Sequence, residues 1–237
     1  MMDLTQKQHF RKEFKYICSA AEMEILRVRL NSVMKLDSHT DESGWYTIRS
    51  LYFDDLQDTF FYENEDGTSP REKWRIRAYN LDAGKISLEC KRKERGMINK
   101  TAAELTYAQY QAIVAGELLR ADSSQSPVLN RFLALQQTRG LQPKVVVEYE
   151  RRPYVYHLGN VRVTFDCNIS AAQNIAGFFE ASLAKRPVLP VGMQLLEVKY
   201  DAYIPDVLYR IIQMTNMQQV TFSKYYLCRK YSLGGYL

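Results

Sequence analysis

Cysteine and histidine are scarce in this chain of 237 residues, and what there is lies scattered. Cys18, Cys90, Cys167 and Cys228 form no CxxC pair, and His9, His39 and His157 stand apart. That spacing excludes a zinc ribbon, a dithiol redox motif and a histidine-based metal site, and leaves the thiols as small buried hydrophobes. There is no Ser-His-Asp set and no glycine-rich loop of the Walker type. No apolar run is long enough to cross a bilayer and no secretory leader is visible, so the sequence reads as a soluble, cytoplasmic protein. Internal repeats and low-complexity tracts are also missing. What remains is a chain with 46% hydrophobic and 25% charged residues, enough apolar mass for a substantial core. Its net charge of +5 favours an anionic ligand or surface, and seventeen tyrosines tilt the composition toward strands.

The stretch Arg71–Lys93 is the most informative. REKWRIRAYN and KISLECKRK flank a turn at Asp82-Ala83-Gly84 and predict a β-hairpin. Strand side chains alternate between faces, which places Arg75 and Arg77 opposite Trp74 and Ile76, and Glu89, Lys91 and Lys93 opposite Leu88 and Cys90. Around the hairpin, the pattern predicts a strand over Phe10–Ile17 after a frayed start at 1–8. A helix at 20–34 follows, opened by a capping box at Ser19 and Glu22. Strands are expected at Trp45–Asp54, Met97–Leu105, Pro143–Tyr156, Val161–Asp166 and Leu195–Tyr200. Helices are expected near 55–63, 106–118, Pro127–Gln137, Pro205–Met214 and Thr221–Tyr231, while Ala171–Lys185 gives no clear signal. The class is α+β: a closed or nearly closed antiparallel barrel decorated by helices.

Charge recurs at i, i+2 on most of these strands: Arg11, Glu13 and Lys15; Arg75 and Arg77; Glu89, Lys91 and Lys93; Lys100; Arg151; Arg162, Thr164 and Asp166; Glu197 and Lys199. On an open sheet this would be a wet outer face. On a closed one, the charges line a cavity. Like charges repel by about 4 kcal/mol per pair at ~4 Å with a surface-like dielectric, so only a polyanion would settle such a cluster. Arginine forks and lysine ammonium groups both suit phosphate oxygens. The interspersed acids suit a divalent ion shared with phosphate, with Glu197 the strongest candidate and Glu13 and Asp166 weaker ones. Glu89 reads equally as a metal ligand or as a carboxylate that orients its basic neighbours.

With these segments in view, the chain resembles the VTC domain, the catalytic domain of vacuolar transporter chaperone polyphosphate polymerases, and is similar to the stand-alone bacterial members of that group within the triphosphate tunnel metalloenzymes. The resemblance rests on RKEFKYIC, SLYFDD, REKWRIRAYN, LECKRKERG, NKTAAEL, VVVEYERRPY, VRVTFD, LLEVKY and FSKYY, in that order, from about Arg11 to Tyr226. It implies one domain over residues 1–237, built as an eight-stranded antiparallel tunnel with flanking helices. It implies that Lys15, Arg75, Arg77, Lys91, Arg151, Arg162, Lys199 and Lys224, with Lys100, hold a triphosphate or polyphosphate chain, that Ser223 faces the phosphates, and that Glu197 holds Mn²⁺ or Mg²⁺ with Glu13. The first strand reads RxExK rather than the ExExK of the wider superfamily, because Arg11 stands at the first acid position. That departure points away from the cyclase and thiamine triphosphatase branches.

The function so implied is metal-dependent transfer of the ATP γ-phosphate to a growing polyphosphate chain, with Arg75, Arg77, Lys91 and Glu197 at the chemistry. The alternatives are a triphosphate or nucleoside-triphosphate hydrolase of the same fold and a non-catalytic polyphosphate or nucleotide sensor. Nucleic acid is not expected as a partner, since the aromatic and aliphatic residues alternate away from the charges. ATP and inorganic polyphosphate are the expected partners. Relatives that move their product across a bilayer do so in membrane complexes, so such a role here implies a separate membrane protein at the inner face of the membrane.

Overall fold

The computed structural model describes residues 11–213 and 217–234. The frayed start at 1–8, His9, Phe10, Met214 and Tyr236 lie outside the described residues. In chain order the elements are β1 (Lys12–Ser19), α1 (Ala20–Asn31), β2 (Lys35–Leu36), β3 (Tyr46–Asp54), α2 (Thr59–Glu65), β4 (Arg71–Tyr79), β5 (Ile86–Glu94), β6 (Met97–Leu105), α3 (Tyr107–Ala115), α4 (Pro127–Arg139), β7 (Gln142–Tyr156), β8 (Val161–Ala172), β9 (Arg186–Pro187), β10 (Met193–Tyr200), α5 (Asp206–Ile212) and α6 (Lys224–Ser232).

Eight strands form one antiparallel path, β1-β10-β8-β7-β3-β4-β5-β6, with the short β2 and β9 added to β7 and β8. The path curls until its outer strands meet. Among the described residues the seam between β1 and β6 carries one antiparallel bridge, between Arg11, just before β1, and Ile98, in which each residue's N–H donates to the other's carbonyl at 3.2 and 3.4 Å. Among the described residues, then, one bridge joins the seam where every other junction of the path is a ladder.

The apolar core lies outside this wall. Trp74, Ile76 and Leu88 are fully buried on the outer face, with Trp74 against Phe132 of α4 at a ring separation of 5.6 Å. On the other flank, Leu26 and Leu30 of α1 and Leu208 of α5 pack with Val163, Phe165, Leu196 and Val198. Val145, Val146 and Val147 of β7 are all fully buried, the continuous apolar run expected of a strand covered on both faces. With apolar side chains turned outward under the helices, the alternate positions are left to face inward.

Local signals explain the helix starts. Ser19 caps α1 and Glu22 answers its backbone N–H at 2.7 Å. Thr106 and Gln109 repeat that arrangement at α3, and Pro127 sits in the first turn of α4. The helices are shorter at their C-termini than periodicity suggests at α1, which stops at Asn31 rather than 34, and at α3, which stops at Ala115 before Gly116 in the left-handed region (φ 79°). β8 extends to Ala172, past the expected end at Asp166, while β7 keeps the expected end at Tyr156 with Arg151 inside it.

A cationic tunnel as candidate site

The inward positions enclose a cavity of about 200 Å³. Among the described residues ten basic side chains line it, Lys15, Arg71, Lys73, Arg75, Arg77, Lys91, Lys93, Arg151, Lys199 and Lys224, against two carboxylates, Glu13 and Glu197. Five strands and the first residue of α6 supply them. Tyr52, Tyr149, Asn64 and Ser223 are among its neutral polar groups.

Carboxylates hold most of the cations in place. Glu197 takes Lys199 at 2.8 Å, Lys224 at 3.0 Å, Arg151 at 3.2 Å and Lys15 at 3.7 Å. Glu13 takes Lys15 at 2.9 Å and Lys91 at 3.1 Å. Arg151 forks onto the fully buried Asp166 with bonds of 2.6 and 2.7 Å, and Lys224 shares that carboxylate. Glu89 receives Arg75 at 2.8 Å through Nε and Lys100 at 3.0 Å, with Arg77 at 3.7 Å. Glu89 and Asp166 are thus each paired with basic neighbours, as Glu13 and Glu197 are.

The electrostatics follow from burial. Burial alone would raise Glu13 and Glu197, but Lys91, Lys15 and Lys199 for the first, and Lys199, Lys224, Lys15 and Arg151 for the second, hold both well below the usual carboxylate range. Burial lowers Lys224, yet Asp166 and Glu197 outweigh it and the ammonium ends up raised. Lys91 is lowered by burial to about 7 despite Glu13. Lys73 is pulled well below the ordinary lysine value by burial and then by Lys15, Lys91, Arg71 and Lys93. Its Nζ donates to Asn64 and, at 2.7 Å, to the Ser223 hydroxyl.

The side chains read as site residues do not all meet here. Lys15, Arg75, Arg77, Lys91, Arg151, Lys199, Ser223, Lys224, Glu13 and Glu197 converge on the cavity. Arg162 does not line it: its side chain is 33% exposed and bonds Asp37 at 2.9 Å and the Tyr46 hydroxyl at 3.2 Å. The parity is right, but a carboxylate from the loop before β3 draws the guanidinium aside. Lys100 is also off the lining, half exposed and spent on Glu89. Arg11 sits at the seam, 2.9 Å from Asp201, rather than inside. Arg71 and Lys73, which extend the i, i+2 series of Arg75 and Arg77 backward along β4, are cavity residues that the sequence reading passes over, and Lys93, read only as sharing a charged face, also lines it.

Two carboxylates of this wall, Glu13 and Glu197, share Lys15 and Lys199. Thr164, the β8 residue paired with Glu197, has a buried hydroxyl without a hydrogen-bond partner. Among the described residues no three His, Cys, Asp or Glu side chains converge as a ligand set. A divalent ion held by Glu13 and Glu197 would have to take most of its oxygens from phosphate rather than from protein.

Comparison with known proteins agrees with this architecture. A search of curated protein sequences found no match. Among solved structures, a Bacillus halodurans protein described as a candidate adenylate cyclase matches over 91% of this chain and 94% of its own, with a TM-score of 0.52 and 13% identity. A Pyrococcus horikoshii protein matches over 88% of this chain and 94% of its own, at a TM-score of 0.44 and 14% identity. At such identities the first likeness speaks for the tunnel fold alone. The family model described as the VTC domain matches residues 10–233, nearly the whole length, and the chain belongs to that family.

Proposed function

We propose that this protein transfers the γ-phosphoryl group of ATP to the end of a polyphosphate chain inside the tunnel. The observation that carries the reading is the imbalance of the lining, which among the described residues sets ten basic side chains against two carboxylates in one enclosed space. Membership of the VTC family supports it.

Phosphoryl transfer asks for alignment and charge neutralisation more than for a covalent nucleophile. A terminal oxygen of the acceptor chain would attack the γ-phosphorus. A new P–O–P link forms as the bond to the β-bridging oxygen breaks, and ADP leaves with that electron pair. Arg75 and Arg77 are pre-aligned for this, pinned by Glu89 and by the hydroxyls of Tyr52, at 2.9 Å, and Tyr149, at 3.2 Å. Lys91 reaches in from β5, and Lys15, Lys199 and Lys224 face it from β1, β10 and α6. Glu197 and Glu13 would hold Mn²⁺ or Mg²⁺ with the substrate, where the ion would add positive charge against the phosphate oxygens.

A hydrolase of the same fold would use water as acceptor and release phosphate without polymer. The test is direct: purified protein with ATP and Mn²⁺, followed for ADP and free phosphate and for polymer on a gel. Polymer with ADP is expected, and Glu197→Gln should abolish both. Free phosphate without polymer would replace the reading by hydrolysis, and tight binding without turnover would replace it by a sensor.

A further inference from the structure

The cations of the tunnel divide into two groups. Those of β1, β7, β10 and α6, together with Arg75, Arg77 and Lys91, each have a carboxylate within 4.0 Å. Arg71, Lys73 and Lys93 have none among the described residues. These three are contiguous. Arg71 stands directly across from Lys93 and Lys73 across from Lys91 in the β4–β5 ladder, and Lys91 in turn faces Lys100 on β6. Like charges directly opposite one another destabilise a sheet, and here three such pairs follow in succession. The polar partners present are neutral. Arg71 donates to the Thr68 carbonyl at 2.8 Å, and Lys73 is held by Asn64 and the Ser223 hydroxyl.

We propose that Arg71, Lys73 and Lys93 form a carboxylate-free phosphate subsite, which holds the part of a condensed phosphate chain that extends beyond the triphosphate length held by the paired cations. This rests on the tunnel being a polyphosphate site, and it adds a polarity to it. One end carries Glu13 and Glu197, where phosphate is shared with a divalent ion. At the other, among the described residues, no carboxylate comes within 4.0 Å of a cation and Glu63 and Glu13 act only from farther off, so phosphate there is met chiefly by lysine and arginine. Anion contact removes the repulsion between facing cations, and it opposes the burial and the neighbouring positive charges that lower Lys73.

The experiment is calorimetry in EDTA, with inorganic tripolyphosphate and a longer linear polyphosphate as probes. Wild type is expected to bind the longer chain more tightly. In Arg71→Gln/Lys93→Gln, and separately in Lys73→Gln, the ratio of the two affinities is expected to fall about tenfold, while the tripolyphosphate affinity falls less than threefold. The charge-keeping variant Arg71→Lys/Lys93→Arg should retain the ratio and serves if the neutral variants do not fold. A variant that weakens both probes equally, or neither, overturns the subsite, as does a charge-keeping variant that loses the ratio. Wild type that binds neither probe overturns the reading of the tunnel itself.

Discussion

Lys91 Nζ stands 3.1 Å from Glu13 Oε2, an ion pair between β5 and β1 that spans the strand between them at the seam. Among the described residues one backbone bridge joins that seam, and this pair fastens the wall from the inside. A cation that lines the lumen is therefore also a cation that closes the tube.

The Lys91 ammonium gives the first prediction. Burial lowers it, Glu13 opposes, and the result is about 7. Below that pH Lys91 is already charged and binds an anion at no protonation cost. Above it each complex must take up a proton, so affinity should fall by up to about tenfold per pH unit until the higher value of the bound state is reached. Tripolyphosphate titrations between about pH 6 and 9 test this against Lys91→Arg, which stays charged throughout. The two proteins should diverge as pH rises, and parallel curves would refute the assignment. Glu13→Gln, by removing the carboxylate that supports the ammonium, should move the divergence to lower pH.

Glu89 gives the second. It is 2% exposed and faces Arg75, Arg77 and Lys100. Glu89→Gln leaves two buried guanidinium groups without their counter-charge and should cost about 3–5 kcal/mol in urea unfolding. Because a bound polyanion can replace the missing charge, saturating tripolyphosphate should recover more stability in the variant than in wild type. Equal recovery would mean that Glu89 does not face the anion's ground.

Glu197 separates binding from turnover. Its carboxylate is shared among four cations. Glu197→Gln frees them, so metal-free tripolyphosphate should bind more tightly, by roughly tenfold if one unit charge of repulsion is relieved at about 1.4 kcal/mol. Stimulation of turnover by Mn²⁺ should be lost in the same variant. Weaker metal-free binding would show that the carboxylate positions the lysines more than it opposes the anion.

Arg49 provides a control outside the tunnel. It is 1% exposed and bonds Glu148 and the carbonyls of Gly177, Phe178 and Glu180. Arg49→Met should lower stability by about 3 kcal/mol while leaving tripolyphosphate affinity within twofold. A large loss of affinity in a folded variant would tie this outer clamp to the lumen.

Much of this site is legible from alternation, because a strand's period of two assigns faces without knowledge of its neighbours. The hairpin carries Trp74, Ile76 and Leu88 outward and Arg75, Arg77 and Lys91 inward, as parity requires. Arg71 and Lys73 continue the same series and were open to the same reasoning. Tyr52 and Tyr149 were not, since an aromatic residue carries no mark of whether its hydroxyl serves a guanidinium or its ring fills the core. Arg162 shows the limit of parity. Its face is correct, but Asp37 lies far off in the sequence, and only the folded chain brings that carboxylate to it. The seam is equally non-local, as a pattern of eight strands does not say how firmly the first and last are joined.

Lys15, Glu197 and Lys224 form one linked group although they come from opposite ends of the described chain. No contiguous fragment can own this tunnel. Occupancy should thus act as a reporter of the complete fold, stabilising N-terminal and C-terminal segments together by mass action. Amide exchange should slow in β1 and α6 alike when tripolyphosphate is added, and slowing confined to one of them would show that the two ends open independently.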